Sequence, residues 1–179
     1  MKKWLMGSVV WMLLAGPALA LDVLATSPSM GALVRAVAPG AELTVLAGPD
    51  QDLHALQAKP SMMRALRGAD LLVAVGAELE VGWLPAASAG AANPAILPGT
   101  EGYFEAAAQV PLLDVGGSAD RARGDVHPAG NPHVDLDPVR MAQVAEALGE
   151  RMARLDPANA ARYRGNAARF AGAVEQRVP

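Results

Sequence analysis

Short apolar runs alternate along the chain with longer segments in which apolar residues recur at helical spacing. Four runs of four or five residues have the length and apolar content of buried strands. They lie at Asp22–Thr26, Leu43–Leu46, Leu71–Val75 and Leu112–Val115. The pattern therefore predicts four strands.

The segments between these runs carry helix signals. After the first run, Ser27-Pro28 supplies an N-cap and a first helical residue, and the apolar positions from Met30 to Val37 share one face. A short helix is predicted from about Ser61, another helical segment over residues 79–89, and a Gly/Pro/Ala-rich loop over residues 90–102. Because strands separated by helices need crossover connections, these elements predict an α/β fold, a single doubly wound lobe with a mainly parallel four-stranded sheet.

Two further helices are predicted after residue 136. Asp137-Pro138 and Asp156-Pro157 are both helix starts, with aspartate as the cap and proline in the first turn. Apolar residues then repeat at helical spacing, from Met141 to Met152 in the first helix and from Tyr163 to Val174 in the second. No glycine cap follows the second helix, so it is predicted to be still running at Pro179.

The first twenty residues have a different character. Lys2 and Lys3 precede an apolar stretch from Trp4 to Leu14, and Ala18-Leu19-Ala20 forms a small-x-small site. This is the pattern of a secretory signal peptide, and the stretch is shorter than the roughly 20 apolar residues of a membrane-spanning helix. We predict a signal peptide over residues 1–20, cleavage after Ala20, a periplasmic product and, since no cysteine follows, no lipid anchor.

Composition narrows the classes of partner. Cleavage would leave 159 of the 179 residues, enough for one domain with a substantial core. Lys2 and Lys3 would leave with the signal, so thirteen basic residues would face eighteen acidic ones, a net charge of −5. An acidic chain without a basic cluster is a poor binder of nucleic acid or anionic membranes, and we exclude both. There are no cysteines and hence no disulfides, and we expect a monomer.

The three histidines of the chain fall in two loops. His54 lies in PDQDLHALQAKPS after the second run, and His127 and His133 lie in GDVHPAGNPHVDLDP after the fourth. Loops at the carboxyl ends of parallel strands share one edge of the sheet, so we expect these loops to meet in one crevice. Imidazole suits zinc and other first-row divalent ions. Surface or hydrogen-bonding histidines are the alternative that the spacing alone leaves open.

The second loop predicts different roles for its polar residues. Pro132 keeps Asn131 extended, so the Gly130-Asn131-Pro132 turn should hold His133 rigidly just before the helix cap Asp137. His127 lies in a less constrained part of the loop and is a possible ligand. Asp135 is a possible ligand too, or an acceptor that fixes an imidazole tautomer, or a solvated acid.

Other chemistry has little support in the sequence. There is no phosphate-binding Gly-rich loop ending in Lys, no G-x-S-x-G and no C-x-x-C, and no candidate general base stands out. Three histidines and a water could form a hydrolytic zinc site, which keeps a metal-dependent hydrolase as a minor alternative. We predict that the protein is not an enzyme.

Taken together, the motifs carry a family resemblance. The chain resembles the zinc/manganese class of ABC-transporter solute-binding proteins. Three segments carry the resemblance: GPDQDLHALQAKPS, then ALRGADLLVAVG, then GNPHVDLDP leading into a helix. The resemblance implies two α/β lobes joined by a long helix, with the metal between them. It implies that His54 and His133 are the ligands of the amino-terminal lobe, residues 21–155, and that residues 156–179 begin the joining helix.

The sequence departs from that pattern in two ways. The second lobe, which supplies a histidine or glutamate and a carboxylate in the family, is absent, and His127 and Asp135 are the nearby substitutes. The His/acid-rich loop of many zinc members corresponds here to residues 90–102, which contain no histidine. We therefore expect a truncated version or a fragment, with weak metal binding.

Two functions follow as expectations. The first is capture of Zn²⁺, with Mn²⁺ as the alternative ion, in the periplasm and its delivery to an inner-membrane ABC permease. The second is a single-lobe periplasmic zinc chaperone or buffer that uses all three histidines.

Overall fold

The four strands form one parallel sheet. The computed structural model describes residues 20–116, 127, 128 and 130–178. The strands are β1 (Asp22–Ala25), β2 (Glu42–Val45), β3 (Leu71–Ala74) and β4 (Tyr103–Glu105), and their order across the sheet is β2-β1-β3-β4. All three strand pairs are parallel, which confirms the predicted α/β fold.

Five α-helices cover the sheet. They are α1 (Pro28–Val37), α2 (Pro60–Leu66), α3 (Leu84–Ala91), α4 (Pro138–Leu155) and α5 (Ala160–Glu175). Short 3-10 turns lie at Pro94–Ile96, Ala107–Gln109, Val134–Leu136 and Pro157–Asn159. None of the described helices combines the length and the apolar character needed to span a bilayer.

The core lies in two layers, one on each face of the sheet. Val23 and Ala25 of β1 pack with α1, α4 and α5, whereas Leu24 packs with α2 and α3 on the opposite face. Since β1 and β3 are buried on both faces, their sequences are continuous apolar runs rather than alternating ones.

Helix α4 is fixed at its start and along its length. The Asp137 carboxylate accepts hydrogen bonds from the Val139 and Arg140 backbone N–H groups, as predicted for a cap. Gly149 lets α5 approach closely, since a Cβ at that position would lie 2.9 Å from the Ala167 Cβ. The predicted cap of the first helix is thus confirmed, whereas the second helix begins at Ala160, after the 3-10 turn Pro157–Asn159, and Asp156 makes no side-chain cap hydrogen bond.

The prediction of a strand at Leu112–Val115 is wrong. The fourth strand is Tyr103–Glu105, which pairs with β3 so that Leu72 lies opposite Tyr103. In Leu112–Val115 the Leu113 and Val115 side chains are 56% and 67% exposed, so this apolar run has no sheet to pack on.

Three smaller boundaries also differ from the prediction. Helix α3 begins only at Leu84, because Gly76, Ala77 and Glu78 have positive φ and form a turn first. Residues 90–102 include the end of α3 and a 3-10 turn whose Ile96 is buried. Helix α5 ends at Glu175, earlier than predicted. Most of the predicted signal peptide, residues 1–19, lies outside the described residues, and the domain boundaries remain predictions.

Candidate metal centre

The structure brings the three histidines together at the carboxyl edge of the sheet. Candidate ligand nitrogens of His54, His127 and His133 all lie within 4.8 Å of one another. Their ring centroids are 5.0 to 6.1 Å apart. His54 and His127 are half-buried and His133 is exposed, so the group is open to solvent on one side.

The spacing of the nitrogens is close to that of a metal site. The His54 Nε2 and His127 Nε2 atoms are 3.0 Å apart. Nitrogen ligands lie about 2.0–2.1 Å from zinc, which puts the ligands of one tetrahedral ion roughly 3.3 Å apart. Side-chain movements of at most about 1.5 Å would therefore let the three imidazoles share one ion.

Asp52 orients the His54 ring. One carboxylate oxygen of Asp52 accepts hydrogen bonds from the His54 backbone N–H and from its Nδ1, both at 2.9 Å. These bonds from His54 hold the pKa of the Asp52 carboxyl below its usual value. With Nδ1 bound in this way, Nε2 is the nitrogen that faces the other histidines, an arrangement typical of metal-binding imidazoles. The D-x-H spacing in the sequence was the signal for this role, which sequence reasoning did not assign.

A hydrogen-bonded turn holds His127 and His133. The Gly130 N–H donates to the His127 carbonyl at 3.0 Å, and the Asn131 N–H donates to the Leu113 carbonyl at 2.8 Å. The Asn131 side-chain oxygen then accepts the His133 N–H at 3.0 Å. The turn therefore positions both histidines, including His127, which the sequence placed in a less constrained part of the loop.

Asp135 lies beside the group without joining it. It is half-buried in the 3-10 turn Val134–Leu136, between His133 and the helix cap Asp137. Among the described residues, the atoms close enough to share an ion all belong to histidines.

A buried glutamate that sequence reasoning missed lies at the carboxyl ends of the neighbouring strands β1 and β3. The Glu80 carboxylate accepts hydrogen bonds from the Thr26 hydroxyl at 2.6 Å, the Val75 N–H at 2.8 Å and the Gly76 N–H at 3.0 Å. It is 4% exposed, and burial raises the pKa of its carboxyl. Glu80 thus ties the ends of β1 and β3 together, next to the crevice where ligands of such sheets bind.

Comparison with known proteins adds a family match. A family model described as ZnuA, the periplasmic component A of a zinc-uptake complex, matches residues 23–177. No curated protein matches the chain.

Solved structures share the fold at low sequence identity. A zinc-bound deletion mutant of ZnuA is 23% identical with a TM-score of 0.71, over 88% of this chain and 55% of that chain. FpvC from P. aeruginosa in complex with Ni²⁺ is 22% identical with a TM-score of 0.70, over 88% and 52%. A Mn-bound periplasmic metal-binding protein from Candidatus Liberibacter asiaticus is 21% identical with a TM-score of 0.67, over 86% and 53%. The chain spans about half the length of these structures.

Proposed function

Because this chain belongs to the ZnuA family of periplasmic zinc-uptake components, we propose that it captures a divalent metal ion in the periplasm for an inner-membrane ABC importer. The observation that carries the proposal is the convergence of three imidazoles from two separate loops on one point at the sheet edge. Binding, rather than turnover, is the function proposed for this site.

We propose His54, His127 and His133 as the ligands. The resemblance in sequence supplied only His54 and His133 from this lobe, but the turn around Gly130 places His127 as close to His54 as a ligand would be. Asp135 is not part of the proposed ligand set, since its carboxylate is not in the group of converging atoms.

The donor set favours zinc over manganese. Imidazole nitrogen suits Zn²⁺ and its late first-row neighbours, whereas Mn²⁺ prefers carboxylate and carbonyl oxygens. Three neutral imidazoles leave a fourth position of a tetrahedral ion open to water or to a further protein ligand. Such an open position suits an ion that must be released again.

Histidine substitutions test the ligand set. Zinc affinity should be measured by competition with a chromophoric chelator for His54→Ala, His127→Ala and His133→Ala, with Asp135→Asn as the matched polar control. Each histidine variant should lose more than the 10- to 100-fold in affinity that removal of an orienting partner costs, and the control should stay within about twofold of the parent. Unchanged zinc affinity in any histidine variant would remove that residue from the set.

A zinc buffer or chaperone is the second candidate function. It is favoured by one observation, that the three proposed ligands all belong to the described residues of this chain. The two functions differ in their effect on the importer. If the zinc-loaded protein stimulates ATP hydrolysis by the importer in membrane vesicles, it acts in import, and if it binds zinc tightly without such stimulation, it acts as a buffer.

Export through a cleavable signal is part of the proposal. In support of it, residues 1–20 carry a basic start, an apolar stretch and the Ala18-Leu19-Ala20 site typical of a secretory signal. The mass of the protein recovered from the periplasm should correspond to a chain that starts at Leu21. A mass that includes residues 1–20 would contradict cleavage after Ala20.

A further inference from the structure

We propose that Trp83 is a positioning residue for metal capture, because its indole N–H holds the loop that presents His54. This inference rests on the proposed function, since it takes His54 to be a ligand. It gives a specific role to a tryptophan that would otherwise be regarded as part of the core.

The contact joins α3 to the residue just before the ligand. Trp83 is fully buried, and its Nε1–H donates to the Leu53 carbonyl at 3.0 Å. Leu53 is half-buried and packs against both core layers. The Leu53 carbonyl and the His54 backbone N–H belong to the same peptide plane. The hydrogen bond that orients this carbonyl therefore also orients the His54 backbone, and with it the imidazole.

Little else fixes this loop by hydrogen bonding. Within residues 48–58, the other hydrogen bonds among described residues are local, apart from the contact between His54 and His127. The bond from Trp83 therefore is the one that ties the backbone of this loop to another element within the described part of the chain.

Trp83 is itself anchored to the sheet. Its backbone N–H and that of Leu84 donate to the Glu80 carbonyl at 3.1 Å and 2.9 Å. The Glu80 side chain in turn accepts from Thr26 and Val75 at the ends of β1 and β3. Hydrogen bonds thus connect the ends of β1 and β3, through Glu80 and Trp83, to the backbone of the His54 loop.

A positioning role and a purely structural role predict different couplings. A buried ring that only fills space would change stability, and any loss of affinity would be the same whether or not His54 is present. A group that acts through His54 changes affinity only while His54 is there to be positioned.

The test is a double-mutant cycle on the full chain with zinc as the probe. Trp83→Phe keeps a buried ring and removes the N–H, and it should lower zinc affinity by about 2- to 12-fold, the equivalent of one net hydrogen bond. In the His54→Ala background the same substitution should leave the remaining affinity unchanged. Phe104→Leu, in the opposite core layer, is the control for lost stability without lost affinity.

The outcomes separate this inference from the proposed function. If His54→Ala itself leaves zinc affinity unchanged, His54 leaves the proposed ligand set and the positioning role of Trp83 is overturned with it. If His54→Ala loses affinity but Trp83→Phe does not, or loses the same factor in both backgrounds, only the positioning role is overturned.

Fluorescence provides a measurement that does not depend on how well Trp83→Phe folds. The chain has three tryptophans, Trp4, Trp11 and Trp83, and cleavage after Ala20 would leave Trp83 as the only indole; in an uncleaved chain, Trp4→Phe/Trp11→Phe gives the same result. Zinc should shift the Trp83 emission over the same range of zinc concentration in which it binds, and the shift should vanish in His54→Ala. Trp83 emission that does not change at saturating zinc would overturn the proposal.

Discussion

Replacing Gly130 by alanine should weaken zinc capture strongly because the turn between His127 and His133 requires glycine. Gly130 has φ +118°, and a Cβ there would lie 2.7 Å from the Leu112 Cβ and 3.1 Å from the Leu113 carbonyl oxygen. Positive φ costs a non-glycine residue about 1–3 kcal/mol. The overlap with Leu112 adds to this cost, because the added Cβ and the Leu112 Cβ are both bound directly to the backbone and cannot rotate away from each other.

The cost can appear in two places. If the turn keeps its shape in Gly130→Ala, the strain lowers the free energy of unfolding. If the turn relaxes, the free energy of unfolding stays unchanged, but zinc binding must restore the strained turn. A strain of about 1–3 kcal/mol then lowers zinc affinity by about 5- to 150-fold. Among the described residues, the Asn131–Leu113 hydrogen bond joins the turn to another segment, and we expect most of the loss in affinity.

Gly99→Ala is the matched control. Gly99 also has positive φ, +90°, but a Cβ there would meet nothing within 4 Å, and it lies outside both histidine loops. Urea unfolding and chelator competition should show a loss of stability alone for Gly99→Ala and a marked loss of zinc affinity for Gly130→Ala. The reasoning is refuted if Gly130→Ala binds zinc within twofold of the parent and unfolds at the same urea concentration.

Three further predictions concern single carboxylates. Asp52→Ala should lower zinc affinity by about 10- to 100-fold in chelator competition. Asp52→Asn keeps an oxygen acceptor for His54 and should lose less affinity. Equal losses of affinity would show that the charge of Asp52, and not its hydrogen bond, is what matters. Because burial raises the pKa of Glu80 above the ordinary 4.5, the folded protein keeps this proton after the unfolded chain has lost it. The free energy of unfolding should therefore fall as pH rises above about 4.5, and urea titrations should show a smaller fall in Glu80→Gln. Asp137→Ala should lower the free energy of unfolding by about 1 kcal/mol through loss of the α4 cap, whereas Asp137→Asn should retain most of it.

The interior strands and the edge strand β2 could be predicted from the sequence, and the edge strand β4 could not. β1 and β3 are continuous apolar runs, and their predicted ends differ from the observed ones by one residue. β4 contains one buried side chain, Phe104, between half-buried Tyr103 and Glu105, so it has no apolar run to recognise. Leu112–Val115 has such a run and no partner strand, which shows that hydrophobicity alone does not specify pairing.

The meeting of the two histidine loops was predicted correctly although one strand was misplaced. The rule that carboxyl ends share an edge applies equally to a loop that leaves β4, so the error in strand assignment did not matter for His54 and His133. The place of His127 depends on the bond between its carbonyl and Gly130 and on the anchoring of the turn to Leu113. The second of these contacts joins separate parts of the chain, and local sequence signals do not encode it. The role of Glu80 likewise requires knowing that β1 and β3 are neighbours.

The first described strand, β1, is one of the two interior strands of the sheet, and this has a consequence for how the nascent chain folds. β1 pairs with β2 on one side and with β3 on the other. Because synthesis proceeds from the amino terminus, the β3-facing side of β1 stays unpaired until Ala74 has emerged. Parallel pairings of this kind join distant parts of the chain and form slowly. The youngest chains thus expose an unpaired apolar strand edge, a natural substrate for holding chaperones, before the loop that carries His127 and His133 exists.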